Sequence, residues 1–316
     1  MSPVVQSLTP VFLLIAVGFL ASRQQWIRGD AVKDLSNLVF LILIPALLFR
    51  TMSTVRLDTL DLRPIAAYFL AAGAWFALSI AWRGFDCRSV VLALAGTFSN
   101  MVMIGITLVG LAYGQEGLVT LLTLVSVHAL ILLTAAAIIL ELAAAREARH
   151  GGQAVPNLWR TAWSAVKGSL IHPVPLPIVC GLLFAQTGLT LPLVIDRPLQ
   201  LLGNAFGPLA LVLLGVSLAS TPLAGHWRMS LWIALSKNLV LPVVVGCSAW
   251  AFGITGLPLV VMVVAAGLPI GANVFLFAQR YQVVQDLTTA AMGVSTVLAV
   301  FTLSAIMFVM SRLVLL

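Results

Sequence analysis

Long apolar runs separated by short polar or basic punctuation organise this chain from end to end. They mark ten candidate helices, near residues 8–21, 35–49, 62–82, 88–113, 118–143, 173–191, 197–220, 228–253, 257–279 and 286–313. A helix of about 20 apolar residues crosses ~30 Å of hydrocarbon, and most of these runs reach that length. The first two are shorter and must draw on their flanks. Nowhere do polar and apolar residues alternate as an outer-membrane β-strand requires. The pattern predicts an all-α integral membrane protein with ten transmembrane helices.

The gap from Ala144 to His172 is the one long connector, holding Arg146, Arg149, Arg160 and Lys167 with Gly151, Gly152 and Pro156. It divides the chain into a first half, residues 1–143, and a second, residues 173–316, with five helices in each. An odd number of crossings makes the second half enter the membrane from the opposite side, which is the arrangement of an inverted repeat. A weak internal echo agrees: Ala95-Gly96, Asn100, Tyr113, Glu116 and Leu118 are answered by Ala266-Gly267, Asn273, Tyr281, Asp286 and Leu287. Pro45 and Pro208 form a second rough pair.

Composition removes the soluble classes. Of 316 residues 61% are hydrophobic and 9% charged, against roughly 25% charged in a soluble domain, and the mean hydropathy is +1.11. The net charge of +7 does not indicate a nucleic-acid surface, because the Lys and Arg residues stand singly between apolar runs. Eleven of them fall on the side holding the first, third, fifth, seventh and ninth connectors and five on the other, with Lys237 inside a span. The positive-inside rule then places the eleven in the cytoplasm and both termini outside an inner membrane. Trp26, Trp82, Trp159 and Trp227 lie beside basic connectors, as an aromatic belt requires. Cys87, Cys180 and Cys247 have no metal-ligand spacing and read as packing residues. The N-terminal run lacks a basic leader and is read as a retained first helix.

The fourth and ninth spans are interrupted at corresponding places. One reads Gly96-Thr97-Phe98-Ser99-Asn100 followed by Gly105, the other Gly267-Leu268-Pro269-Ile270-Gly271-Ala272-Asn273. Helix breakers at membrane depth survive where protein or a water-filled cavity satisfies the freed backbone groups. A half-helix starting after a break points unsatisfied N–H groups and a partial positive charge into that cavity. An Asn in its first turn adds a neutral amide donor. Ser99, Asn100, Pro269, Gly271, Ala272 and Asn273 are therefore candidate substrate-binding positions for a carboxylate. Gly and Pro also serve close packing or a kink in membrane helices, and a pair matched across two halves favours the cavity.

Two further residues are candidates for coupling or gating. Lys237 lies about eight residues into the eighth span, roughly 12 Å deep, as a functional charge or as a side chain snorkelling to the cytoplasmic headgroups. His128 falls near the middle of the fifth span, either for proton coupling or as a neutral group hydrogen-bonded between helices. Glu116 and Asp286 open the fifth and tenth spans and cap helix dipoles. Glu141 and Arg280 read as interface residues.

With these residues in view, the chain resembles the auxin efflux carrier family, which includes plant auxin exporters and bacterial permeases assigned to malonate or malate. The likeness is carried by Lys33-Asp34-Leu35-Ser36-Asn37-Leu38-Val39-Phe40 leading to Ile44-Pro45-Ala46-Leu47-Leu48-Phe49, then Ser99-Asn100 with Gly105. It continues with Lys237 through Leu241-Pro242, and Leu268-Pro269 with Asn273 and Phe275 through Tyr281. The resemblance covers the whole chain. It implies two inverted five-helix repeats, a scaffold part and a transport part, with spans 4 and 9 crossing at the substrate. The family often has a Pro shortly after the Gly of span 4, whereas Gly105 here is followed by Ile106-Thr107, so the second break is expected to be the more open.

The expected function is secondary transport of a small organic anion, a mono- or dicarboxylate, by alternating access. A channel or a membrane sensor of small carboxylates is the competing class. An intramembrane enzyme is disfavoured, since no His-Glu-x-x-His run, nucleotide-binding loop or paired intramembrane acid is present. No cofactor or metal is expected, and sodium coupling, proton coupling and uniport stay open. The expected partners are the organic anion and the lipid bilayer, with no nucleic acid; pairing of two copies into a homodimer is left open.

Overall fold

The computed structural model describes residues 3–56, 61–150, 174–219 and 227–313. The inner part of the long connector, with Gly151, Gly152, Pro156, Trp159, Arg160 and Lys167, lies outside the described residues. Among those described the fold is helical, with one isolated backbone bridge and no strand. Among the described residues, helix falls within each apolar run marked in the sequence, with irregular backbone inside 88–113 and 257–279. Six helices are long and apolar enough to cross a membrane: Ala31–Met52, Arg63–Arg83, Met101–Arg149, Leu193–Ala219, Trp227–Ala251 and Gln285–Leu313. Leu8–Arg23, Leu176–Gln186 and Gly256–Gly267 are shorter apolar helices. Met101–Arg149 is two helices meeting at Gly114, whose φ of 62° and ψ of −155° break the helical path. Large apolar side chains stand exposed along these helices, among them Leu13, Leu70, Leu183, Trp232, Trp250 and Phe301. Lipid is the solvent that accepts such a surface without penalty.

The chain forms two compact units, each drawing on both sequence halves. The first holds Met1–Leu62, Met101–Ser126 and Ile171–Thr221. Its helix Pro3–Arg23 lies along Leu193–Ala219, and glycine sets their separation. A Cβ on Gly18 would run into the carbonyl of Val212, and one on Gly215 into that of Ile15, the close small-residue contact that drives helix association in lipid. The helix Ile44–Met52 packs on Pro175–Gln186, with Phe49 and Phe184 ring centroids 6.0 Å apart. The Arg50 guanidinium grips Asp196 with both arms, at 2.7 and 3.1 Å.

The second unit holds Arg63–Asn100, Val127–Leu170 and Pro222–Leu316. Its core is unusual in composition. In the helices Cys87–Ala95 and Gly256–Gly267 the stretches Val90 through Ala95 and Val260 through Gly267 are apolar and buried without interruption. A helix hydrophobic all round belongs inside a bundle. Asp86 starts the first of them by accepting the Ser89 N–H at 2.6 Å. Of the three cysteines only Cys87 packs inside; Cys180 and Cys247 are exposed, on helices whose outer faces are apolar.

Proline punctuates two helices in the same way. Val39–Leu43 and Ser236–Val240 are short stretches of π-helix, and each is followed two residues later by a proline, Pro45 and Pro242. A proline ring clashes with the carbonyl four residues back and removes one hydrogen bond. Widening the preceding turn to i→i+5 pairing accommodates both without ending the helix.

Candidate functional site

Both interruptions anticipated in the sequence are present. The helix Cys87–Ala95 ends at Gly96, and the helix Gly256–Gly267 ends before Leu268; each is followed by irregular backbone. The outgoing helix of the second break is Asn273–Arg280. The two irregular stretches pair with each other, Ser99 opposite Ile270 in antiparallel sense. The Asn100 N–H donates to the Pro269 carbonyl at 2.8 Å, and the Gly271 N–H donates to the Phe98 carbonyl at 2.9 Å. Unwound backbone in a bilayer interior must find partners within protein, and here each break supplies them to the other.

Two residue types permit this approach. Pro269 has no N–H to orphan and contributes only an acceptor. Gly271 leaves the room: a Cβ there would sit 2.6 Å from Cδ1 of Phe98 and 3.2 Å from the Ser99 carbonyl oxygen. The crossing thus consumes the backbone N–H groups of Asn100 and Gly271.

The first break is closed by its own residues. Thr97 Oγ1 donates back to the carbonyls of Ala93 and Leu94, at 3.0 and 3.2 Å, satisfying helix-end acceptors that otherwise lack donors. Ser99 Oγ lies 3.3 Å from the Tyr68 hydroxyl. The His128 ring lies 4.5 Å from Phe98 and 6.0 Å from Tyr68, centroid to centroid. Its buried Nε2 has no hydrogen-bond partner among the described residues, so the reading of His128 as a hydrogen-bonded link between helices is not what the structure shows for that nitrogen. Thr97, Phe98, Ser99 and Asn100 are all buried.

The second break is held from a distance. Lys237 is fully buried, and its Nζ donates to the carbonyls of Ala266 at 2.6 Å and Leu268 at 2.7 Å. The snorkelling alternative is therefore corrected: the ammonium points inward onto the end of the incoming helix. A cation there meets the negative end of the helix dipole, and the carbonyls offset its burial. The π-helical stretch Ser236–Val240 turns the next residue inward as well. Asn238 is fully buried; its Nδ2 donates to the Ser295 carbonyl at 2.8 Å, and its Oδ1 accepts from Ser295 Oγ at 2.7 Å. Ser295 Oγ in turn accepts the Ile270 N–H at 3.2 Å. Lys237 and Asn238 thus hold both flanks of the second break.

Beyond the break the site opens. Ala272 is exposed and Asn273 partly so. The N–H groups of Ala272 and Asn273, which lead the helix Asn273–Arg280, have no protein partner among the described residues, and neither has the Asn273 side-chain amide. The far end of that helix is tied down: Tyr281 donates to Glu141 Oε1 at 2.7 Å, and Arg280 lies 3.7 Å from the same carboxylate. Glu141 is buried, a correction to its reading as an interface residue. Burial, together with the hydrogen bond to Glu141, pushes the Tyr281 phenol above the usual tyrosine range.

Sequence reading passed over Asn238, Ser295, Thr97 and Tyr68. The signals existed: Asn238 is a second polar residue beside a buried Lys, and Ser295 and Thr302 lie seven residues apart on one face of the last span. As polar residues inside apolar spans they need partners, but sequence does not name those partners.

Comparison with known proteins agrees with the resemblance in the sequence. Residues 3–307 match the family described as "Membrane transport protein". The chain is 27% identical over 308 residues to a protein of Rhizobium meliloti (strain 1021) described as "Putative malonate transporter", covering 95% of this chain and 93% of that one.

Proposed function

Because the chain belongs to the family of membrane transport proteins, we propose that it is a secondary carrier moving a small dicarboxylate of the malonate type across an inner membrane. One observation carries this reading. Among the polar groups of the crossing, the leading N–H groups of the Asn273–Arg280 helix and the Asn273 amide stand without partners among the described residues, beside exposed Ala272. A helix N-terminus with free donors holds a carboxylate without a fixed cation. In this reading Asn273 and Ala272 bind the substrate carboxylate, while Gly271, Ser99, Asn100 and Pro269 shape the crossing behind it.

The carrier then has ten crossings in two inverted five-helix repeats, divided at the 144–172 connector, with that connector cytoplasmic and both termini outside. Alternating access exposes the crossing first to one side and then to the other. The relative's name supplies malonate as the first substrate to test. The test is binding of malonate, malate and acetate to the purified protein, followed by counterflow in proteoliposomes. Saturable uptake that a trans-side dicarboxylate accelerates supports a carrier. Linear, non-saturating flux indicates a channel, and binding without flux indicates a sensor.

A further inference from the structure

Lys237 does something the anion site does not require. It has no carboxylate partner among the described residues, and its two ligands are main-chain oxygens on either side of a helix C-terminus. Carbonyl oxygens at an unwound helix end are the donor set with which broken-helix transporters coordinate alkali cations, and hard cations take oxygen ligands generally. Asn238 and Ser295 hold the other flank of the break, linked to each other and to the Ile270 N–H. Two carbonyl oxygens suited to a small cation are thus in place, and a side-chain ammonium already occupies them.

We infer that Lys237 is a tethered cation standing where a dissociable coupling cation would otherwise sit, so that the protein works without sodium, and that shortening Lys237 creates an alkali-cation site. The inference rests on the carrier reading for its meaning, because a resident charge at the break leaves no place there for an ion that travels with the substrate. The physical claim does not depend on what the substrate is. The π-helical turn is what aims the side chain: it turns Lys237 onto the second break's carbonyls and Asn238 onto Ser295 together.

The test compares thermal unfolding of the purified wild-type protein, without any organic anion, in sodium, potassium and choline chloride at equal ionic strength. The wild type is expected to unfold at the same temperature in all three. Lys237→Ala is expected to unfold earlier in choline and to recover with a saturable rise of about 3 °C or more in sodium or potassium. Methylammonium, which can occupy the vacated position, is expected to restore Lys237→Ala in the same way, while tetramethylammonium, which has no N–H to donate, does not. A wild type stabilised by sodium over choline overturns the inference, as does a folded Lys237→Ala indifferent to every small cation. If Lys237→Ala does not fold, the wild-type arm decides. Malonate binding with and without sodium is then measured on the wild type. Absence of malonate binding in both salts counts against the carrier reading alone, whereas binding that appears only with sodium counts against the tethered cation.

Discussion

The two breaks solve one backbone problem with different means. Each follows a helix whose final turns are buried without interruption, and each lends the other a carbonyl and an N–H. The first then closes on itself, with the Thr97 hydroxyl folded back onto Ala93 and Leu94. The second is held by an ammonium whose Cα lies 29 and 31 residues away in sequence from the carbonyls it caps. A local neutral cap makes a tight and fully buried turn. A distant charged cap leaves the outgoing helix free to start in a roomier place, where Ala272 and Asn273 are accessible. The first break reads as the floor of the crossing, and the second as its working face.

The largest expected difference between the breaks is in their caps. Lys237→Met strands two buried carbonyls and should cost roughly 2–5 kcal/mol, while Thr97→Val removes one shared hydroxyl and should cost about 1 kcal/mol. Equilibrium unfolding in mixed detergent micelles measures both, and equal costs would erase the distinction.

Next comes the contact itself. Gly271→Ala pushes a methyl into the Phe98 ring and the Ser99 carbonyl and should destabilise by about 1–3 kcal/mol. Gly267→Ala meets the tip of Ile306 at 2.6 Å, which can swing aside, so its cost should be smaller. The same unfolding assay ranks the pair.

Ligand binding sharpens the contrast further. A charge-assisted hydrogen bond is worth about 1.5–3 kcal/mol, so Asn273→Ala should weaken malonate binding roughly ten- to a hundredfold with little change in unfolding temperature. Asn100→Ala, at a buried position, should lower the unfolding temperature and change affinity no more than Asn273→Ala does. Isothermal titration of both variants, beside their melting curves, would overturn the assignment of floor and face if the roles came out reversed.

The smallest effect concerns the anchor beyond the second break. Tyr281 has its phenol raised above the unfolded value, which is about 10. The folded state therefore holds the proton more tightly, and the stabilisation is fully present below about pH 10 and is lost as pH climbs through the raised value. Tyr281→Phe should lower stability by about 1 kcal/mol below pH 10 and flatten the profile above it. Unfolding midpoints from pH 8 to 11 check the slope.

The helices and the positions of their interruptions were legible because both are local. Gly96 in the first run, and Gly267, Pro269 and Gly271 clustered in the second, weaken helix formation locally, and the structure interrupts both helices there. The fate of the freed groups was not legible. Sequence suggested that N–H groups freed at the breaks would face a substrate, whereas the Asn100 N–H is taken by the Pro269 carbonyl and the Gly271 N–H by the Phe98 carbonyl. Lys237 allowed two readings, a functional charge or a snorkelling side chain, and its inward-pointing, fully buried ammonium removes the second.

What the sequence by itself determined is the list of apolar helices, since a chain in hydrocarbon must satisfy its own backbone and 20-residue apolar runs leave helix as the means. It pointed also to where two of those helices fail, because clustered glycine and proline act on their own neighbours. What only the tertiary structure decided is which partner each freed group takes. Hydrogen bonds reach about 3 Å, so pairing Asn100 with Pro269, or Lys237 with Ala266 and Leu268, depends on how segments far apart in the chain are brought together. One π-helical turn and one missing Cβ, at Ser236–Val240 and Gly271, set those distances.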